Sequence, residues 1–319
     1  MNATVPMGGK VRLLGRPAPL VLDGGSATAL EAEGYVHHPT LWSGGAIFQA
    51  PQAVRRVHRA FLDAGADIIS TVGYQASFAA LLDAGFGRDE ASDLIRLGVE
   101  LAVTERDAFV AERSPAGRSP PLVAASVGPY GAWLPDGLEY DGRYGVDADE
   151  LTAFHLPGLE ALVESRADLL AFDTVPSLLE IEVIANLIRE TRARAWISFS
   201  CRDEDRLADG TLIEEAITIC EGAEGIVALG ANCVPPGIVL GLVERMVRAS
   251  SLPVIVYPNR GAGFGADAYG RGTPLPSGRG RTDACTLAPR WIAAGAAAVG
   301  GCCGIGPGEV REIAVALGR

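Results

Sequence analysis

Eight apolar runs alternate with amphipathic segments along the chain. The runs are Pro19–Gly25, Ala66–Tyr74, Pro121–Pro129, Ala167–Val175, Ala195–Cys201, Gly225–Cys233, Pro253–Gly261 and Ala296–Gly304. Most are near-continuous stretches of Val, Ile, Leu and Ala, the pattern of parallel strands covered on both faces. Between them apolar positions recur at helical spacing, as in Pro51–Gly65, Arg88–Arg113, Asp149–Ser165, Leu178–Thr191 and Thr211–Gly222. Strict alternation of this kind predicts an α/β chain closed into a (β/α)8 TIM barrel. It would form a single domain over residues 17–319, with residues 1–16 as an N-terminal tail. The alternative is a doubly wound open sheet, which would carry a glycine-rich phosphate loop after its first strand. Asp23-Gly24-Gly25-Ser26-Ala27-Thr28 lacks the G-x-G-x-x-G spacing.

Two connections are longer than the rest. Gly128–Gly145 follows the third run and holds Tyr130, Trp133, Tyr140 and Tyr144, and Arg260–Arg281 follows the seventh and is rich in Gly and Arg. Both follow strands, on the face where barrel enzymes place their chemistry, and the second has the composition of a mobile loop. Polar residues gather at the same ends: Asp23, Thr71 to Gln75, Ser126, Asp173-Thr174, Ser198 to Cys201, Asn232-Cys233, Tyr257-Pro258-Asn259 and Cys302-Cys303. In a closed barrel all of these converge on one mouth.

Composition narrows the function classes. A net charge of −12 leaves no basic stripe, so nucleic acid is excluded as a partner. Lys10 is the only lysine and falls in the expected tail, which argues against Schiff-base catalysis. No apolar run is long enough for a membrane span, and the N-terminus lacks the pattern of a signal peptide. The expected setting is the reducing cytoplasm, where the six cysteines stay free for metal or chemistry. The pattern assigns no oligomeric state.

Three of those cysteines stand out. Cys233 closes one strand, and Cys302-Cys303 sit between Gly300-Gly301 and Gly304 at the end of another. Adjacent residues on a regular strand point to opposite faces. Both can reach one metal only if the chain bends there, and the flanking glycines permit a bend. Three thiolates with a fourth position open is the donor set of a catalytic Zn2+ site. An open position on such a site suits a substrate thiol, which points to methyl transfer onto sulfur. A redox-active or merely buried vicinal pair is the plainer alternative. Cys220 falls on a helix and reads as core, and Cys201, at a strand end, is a candidate to line the pocket.

Proton transfer at a methyl carbon is not needed, which fits a chain with four histidines: His37 and His38 in an early loop, His58 and His155 on helices. Asp23 and Asp173 are candidates to receive the ammonium of an amino-acid substrate, or else to cap the helices that follow. Backbone amides near Gly24, Gly25 and Ser126 could take a carboxylate. Asn232 joins this substrate-binding set. Trp42 and the insert aromatics, Trp133 among them, could stack over a cationic donor or simply pack the loop down. Tyr74 and Tyr257 complete the candidate donor pocket.

With these residues in view, the chain resembles the homocysteine S-methyltransferase family, especially its short S-methylmethionine-dependent members. The resemblance runs from about Leu22 to the C-terminus. It rests on Leu22-Asp23-Gly24-Gly25, Tyr74-Gln75-Ala76-Ser77, Ser126-Val127-Gly128-Pro129-Tyr130-Gly131-Ala132, Thr174-Val175-Pro176-Ser177, Asp209-Gly210-Thr211, Tyr257-Pro258-Asn259 and above all Asn232-Cys233 with Gly300-Gly301-Cys302-Cys303-Gly304. It implies a (β/α)8 barrel with zinc on Cys233, Cys302 and Cys303. It also implies homocysteine bound to that zinc through sulfur, with Asp23 near its amino group, and methionine as product. The implied donor is a methylated sulfonium, S-methylmethionine ahead of S-adenosylmethionine. Betaine, a corrinoid-protein donor, another thiol acceptor or a non-catalytic thiol-binding barrel are the alternatives. Two positions depart from the family pattern: Asp173 stands where Glu is usual, and Arg260-Gly261-Ala262-Gly263 follows Pro258-Asn259 where Ser-Gly-Glu is common.

Overall fold

The computed structural model describes residues 12–113, 119–134, 138–261 and 284–319. Eight barrel strands, here β1 to β8, are Leu20–Val21, Ile68–Ser70, Leu122–Val127, Leu169–Val175, Ala195–Phe199, Ile226–Asn232, Val254–Tyr257 and Ala296–Val299. Each lies inside one of the eight apolar runs. All neighbours are parallel, in the order β1-β8-β7-β6-β5-β4-β3-β2. A parallel bridge between Leu22 and Ile68 closes the ring, so the sheet is a barrel rather than an open doubly wound sheet.

The period-2 geometry of a strand divides the apolar residues into two shells. Leu20, Leu22, Ile68, Ala124, Leu169, Ala171, Trp196, Ala228, Ile255, Tyr257 and Ala298 fill the barrel interior. Their neighbours Val21, Ile69, Val123, Ala125, Leu170, Phe172, Ile197, Leu229, Val254 and Val256 face the helices. Continuing the inward set by two residues at the C-terminal ends gives Ser70, Ser126, Asp173 and Ser198, and continuing by four from Ala228 gives Asn232. The same alternation that packs the core therefore delivers polar side chains to the mouth.

The helices sit close to their expected positions, at Pro51–Ala64, Arg88–Arg113, Ala148–Val163, Leu178–Thr191 and Ile213–Gly222. Two of them start at side-chain caps: Asp147 accepts from the Glu150 amide at 3.0 Å, and Ser177 from the Glu180 amide at 3.2 Å. The strands are shorter than the apolar runs, because the chain leaves the ladder early to build the mouth. At β2, for example, the Thr71 hydroxyl leaves the strand direction and accepts from the Ser126 amide at 3.0 Å.

The expected tail ends earlier than residue 16. Arg12–Leu13 pairs antiparallel with Arg16–Pro17, and Leu13 is fully buried within the interior cluster. An open barrel end would leave the Leu20 and Leu169 layer in water, and Leu13 covers it. Lys10 lies outside the described residues, as does most of the Arg260–Arg281 insert. Among the described residues, no helix is long and apolar enough to cross a membrane.

Candidate active site

The C-terminal mouth opens into a cavity of about 500 Å³. Cys233, Cys302 and Cys303 lie on its wall, with their sulfur atoms all within 4.8 Å of one another. Cys233 Sγ is 3.4 Å from Cys303 Sγ, and Cys302 Sγ is 3.9 Å from Cys303 Sγ. Two local distortions make this possible. Cys233 takes a left-handed backbone (φ 51°), which turns its side chain off the β6 alternation. After β8 the chain bends away from the strand. The Cys302 amide donates to Pro258 O at 2.8 Å, the Ile305 amide returns to Cys302 O at 3.0 Å, and Gly304 adopts φ 79°. Glycine is required beside the bend, since a Cβ at Gly300 would lie 2.6 Å from Asp23 O, and one at Gly301 would strike the Ile305 side chain.

Polar neighbours fix the thiols. Tyr140 donates its hydroxyl to Cys233 Sγ at 3.2 Å. The Asn232 side-chain oxygen accepts from the Thr174 amide at 2.7 Å and the Ser198 hydroxyl at 2.8 Å. Its NH2 donates to Thr174 Oγ1 at 2.8 Å and faces Cys302 Sγ at 4.0 Å. Hydrogen bonds from Cys302 and then Cys303 push the Cys233 thiol well below the ordinary range. The bond to Cys233 pushes Cys302 and Cys303 well above it. Three thiols this close ionise together only with a cation among them. A soft, sulfur-only donor set at this spacing fits zinc.

The floor carries two buried carboxylates. Asp23 accepts from the Ser70 amide at 2.6 Å and the Ser70 hydroxyl at 3.2 Å. Burial pushes its carboxyl up to about 8. Asp173 accepts from the Ser126 hydroxyl at 2.6 Å, from the Tyr257 hydroxyl, and from Trp196 Nε1 at 3.4 Å. Burial pushes it up to about 6 against the pull of those donors. Neither forms an ion pair among the described residues. Neither caps a helix, since the following helices begin at Gly25 and Ser177. A ligand ammonium would supply the charge both lack.

Tyr74, Tyr257, Gly24, Gly25, Ser126 and Asn232 all line the cavity, as expected. Three expectations change. Trp133 is not on the wall: it stacks on Phe154, with ring centroids 5.7 Å apart, and donates to Asp83 at 2.7 Å, so it packs the insert onto the helices. The Gly25 and Ser126 amides are already bonded, to Ile305 O at 2.8 Å and Thr71 Oγ1 at 3.0 Å, so neither serves a ligand carboxylate. Cys201 lies in the outer shell with Leu207, away from the cavity. Of the histidines on helices, His155 is buried against Glu180 at 2.8 Å, and His58 is buried with no hydrogen-bond partner on either ring nitrogen.

Some wall residues were not singled out in the sequence, Ser70 and Glu139 among them. Ser70 was reachable by counting two positions from Ile68. Glu139 sits in the aperiodic insert, where the only signal was its place beside Tyr140.

Comparison with known proteins agrees with this geometry. A family model described as homocysteine S-methyltransferase matches residues 20–317. Homocysteine S-methyltransferase 4 of Zea mays is 40% identical over 304 residues, covering 93% of this chain and 89% of the relative. Selenocysteine Se-methyltransferase of Brassica oleracea is 37% identical, covering 92% and 87%. The crystal structure of the homocysteine methyltransferase MmuM from Escherichia coli in its metallated form superposes with a TM-score of 0.82 at 38% identity, covering 93% of this chain and 95% of that one. The chain belongs to the homocysteine S-methyltransferase family.

Proposed function

We propose that this protein transfers a methyl group from a small sulfonium donor to the thiol of homocysteine, forming methionine, with zinc on Cys233, Cys302 and Cys303. The observation that carries the reading is the cluster of three thiols on the wall of a cavity whose floor holds two buried carboxylates with no ion pair among the described residues. When bound, the zinc supplies a fourth ligand position at which an acceptor thiol stays deprotonated at neutral pH.

The chain's own groups do the rest. Cys233, Cys302 and Cys303 hold the metal. Tyr140 donates to Cys233 Sγ and Asn232 faces Cys302 Sγ, which orients the sulfurs. Asp23 and Asp173 receive the acceptor's ammonium, which fixes its thiol relative to the metal. The Ser70, Ser126 and Tyr257 donors hold those carboxylates in place. No general base acts on the methyl carbon, and no histidine lines the cavity. S-methylmethionine is the favoured donor, because the cavity has room for two amino-acid-sized molecules.

A second acceptor reading rests on the selenocysteine methyltransferase of Brassica oleracea. A selenol would occupy the same position as a thiol. The test is turnover by the purified, zinc-loaded protein, with homocysteine and selenocysteine as acceptors and S-methylmethionine, S-adenosylmethionine and betaine as separate donors. Methionine formation from homocysteine and a sulfonium is expected. Methylation of selenocysteine alone would reassign the acceptor, and turnover with betaine alone would overturn the sulfonium donor.

A further inference from the structure

Glu180 is fully buried on the helix Leu178–Thr191 and does not line the cavity, so neither the metal site nor the ammonium floor uses it directly. One of its oxygens accepts from the Tyr130 amide at 2.6 Å and lies 2.8 Å from His155 Nε2. The other accepts from the Tyr144 hydroxyl at 3.1 Å. Tyr130 and Tyr144 stand near the two ends of the Gly128–Gly145 insert, so one carboxylate ties both arms of the insert to the helix layer. Burying a carboxylate is costly, and several donors at once offset that cost. The inner turn of the insert is built on these arms. A Cβ at Gly131 would lie 2.5 Å from the Glu139 amide nitrogen and 2.7 Å from the Tyr144 ring, so the clamped arms touch the 3-10 turn Leu138–Tyr140 directly. The Gly142 amide returns to Leu138 O at 2.9 Å, and Gly142 takes φ 72° close against Pro176. The turn ends in Tyr140, whose hydroxyl donates to Cys233 Sγ at 3.2 Å. Contacts thus run without a gap from Glu180 to a thiol of the cluster.

We infer that Glu180 is a positioning residue for the metal site, acting through the insert to set the Tyr140 hydroxyl against Cys233. The inference rests on the proposed zinc site at Cys233, Cys302 and Cys303. The local backbone explains why such a device is needed. Cys233 stands off the β6 alternation, so the strand ladder does not by itself fix its sulfur. Among the described residues, the insert holds only the one-turn helices Tyr130–Trp133 and Leu138–Tyr140, so its own backbone does not fix Tyr140 either. A hydroxyl held at the right distance stabilises a ligand thiolate and fixes its direction. Glu180 touches no sulfur, so its loss reaches the metal only by letting Tyr140 shift. A Glu180 that merely held the helices together would leave the thiols alone.

The test is a double-mutant cycle read by zinc affinity, measured on the full chain by competition with a chromophoric chelator. Glu180→Gln keeps the shape and removes the charge and one acceptor oxygen. It should weaken zinc binding about tenfold or more, the range for disturbing a metal ligand's hydrogen-bond partner. Tyr140→Phe should do the same. The two together should bind zinc within about twofold of Tyr140→Phe alone, because Glu180 acts through that hydroxyl. The cobalt-substituted protein gives a second readout. Its thiolate-to-cobalt charge-transfer bands should shift alike in Glu180→Gln and Tyr140→Phe, with no further shift in the double variant. Zinc affinity within about twofold of wild type in Glu180→Gln overturns the inference, and so do losses that add, which is what a general loss of stability would give. Where Glu180→Gln does not fold, Tyr144→Phe takes its place in the cycle. It removes only the 3.1 Å hydroxyl contact, its expected loss is severalfold, and the same two outcomes overturn the inference. A wild type that binds no zinc overturns the proposed function and this inference together. A wild type that binds zinc and shows the coupling, yet transfers no methyl group, counts against the proposed function alone.

Discussion

At the N-terminal end of the barrel, Asp67 stands one residue before β2 and is almost fully buried. Arg319 donates to both of its carboxylate oxygens at 2.6 Å, and the Val21 amide adds a bond at 2.9 Å. Asp168, one residue before β4, is served likewise by Arg106 at 3.1 Å and the Val123 amide at 2.7 Å. At the opposite end of the barrel, Asp23 after β1 and Asp173 in β4 are buried as deeply as Asp67, with neutral donors and, among the described residues, no ion pair. The first pair is electrostatically finished by the chain itself and serves stability. The second is left for a ligand to finish, and its raised carboxyl pKa values record the cost of waiting. One fold thus carries a closed end and an open end, made from the same residue type in different company.

The sharpest break between the ends is expected from Cys302→Ser. It should abolish zinc binding and lower activity by more than the roughly 10- to 100-fold typical of disturbing a ligand's partner. Circular dichroism and the melting temperature of the metal-free protein should stay close to wild type. Full activity with zinc lost would break the metal mechanism.

Exchanging the two acids tests the comparison itself. Asp67→Asn should lower stability by about 2 kcal/mol, less than a fully buried pair because Arg319 is partly exposed, with the homocysteine KM unchanged. Asp23→Asn should do the reverse, raising the homocysteine KM roughly tenfold or more. The metal-free Asp23→Asn protein should also lose part of the alkaline decline in stability. The native carboxyl at about 8 binds its proton more tightly than the unfolded one at 3.8, so wild-type stability falls as pH rises between those values. Urea titrations at pH 5 and 8 measure both variants. A Tm loss in Asp23→Asn at pH 8 would contradict the assignment of that end to binding.

His58 lies at neither end and tilts stability the other way. Burial lowers its imidazole to about 4, from 6.5 when unfolded. Unfolded chains therefore take up the extra proton between those values, and stability is lost as pH falls from 6.5 toward 4. His58→Leu should remove that acid-side loss, on the order of a few kcal/mol, leaving activity at pH 8 unchanged. The smallest effect is expected from Trp196→Phe. It removes a 3.4 Å donor from Asp173 and a 3.2 Å donor from the Tyr257 hydroxyl, and should raise the homocysteine KM only severalfold.

The barrel was legible because period-2 alternation and eight repeats are strong signals over long segments. Asp173, Asn232 and Tyr257 followed from the same count, two positions beyond Ala171, Gly230 and Ile255. Cys233 and the Cys302-Cys303 bend break the alternation, and only the flanking glycines hinted at the second break. For Trp133 the packing alternative holds rather than the donor pocket, a choice the insert after β3 could not signal because it has no period to say which aromatic turns inward. Glu139 was missed for the same reason. His58 could have been read as buried, since it shares the helical face of Val54, Phe61 and Leu62. The plug formed by Leu13 was hidden because two-residue strands leave almost no pattern.

The central claim is that three thiols of this chain hold one zinc and leave its fourth position to the acceptor's sulfur. Zinc K-edge X-ray absorption on the zinc-loaded protein, before and after adding homocysteine, tests it directly. The account predicts one zinc per chain, with its sulfur ligands rising from three to four on homocysteine addition. An unchanged ligand set with homocysteine bound would contradict it.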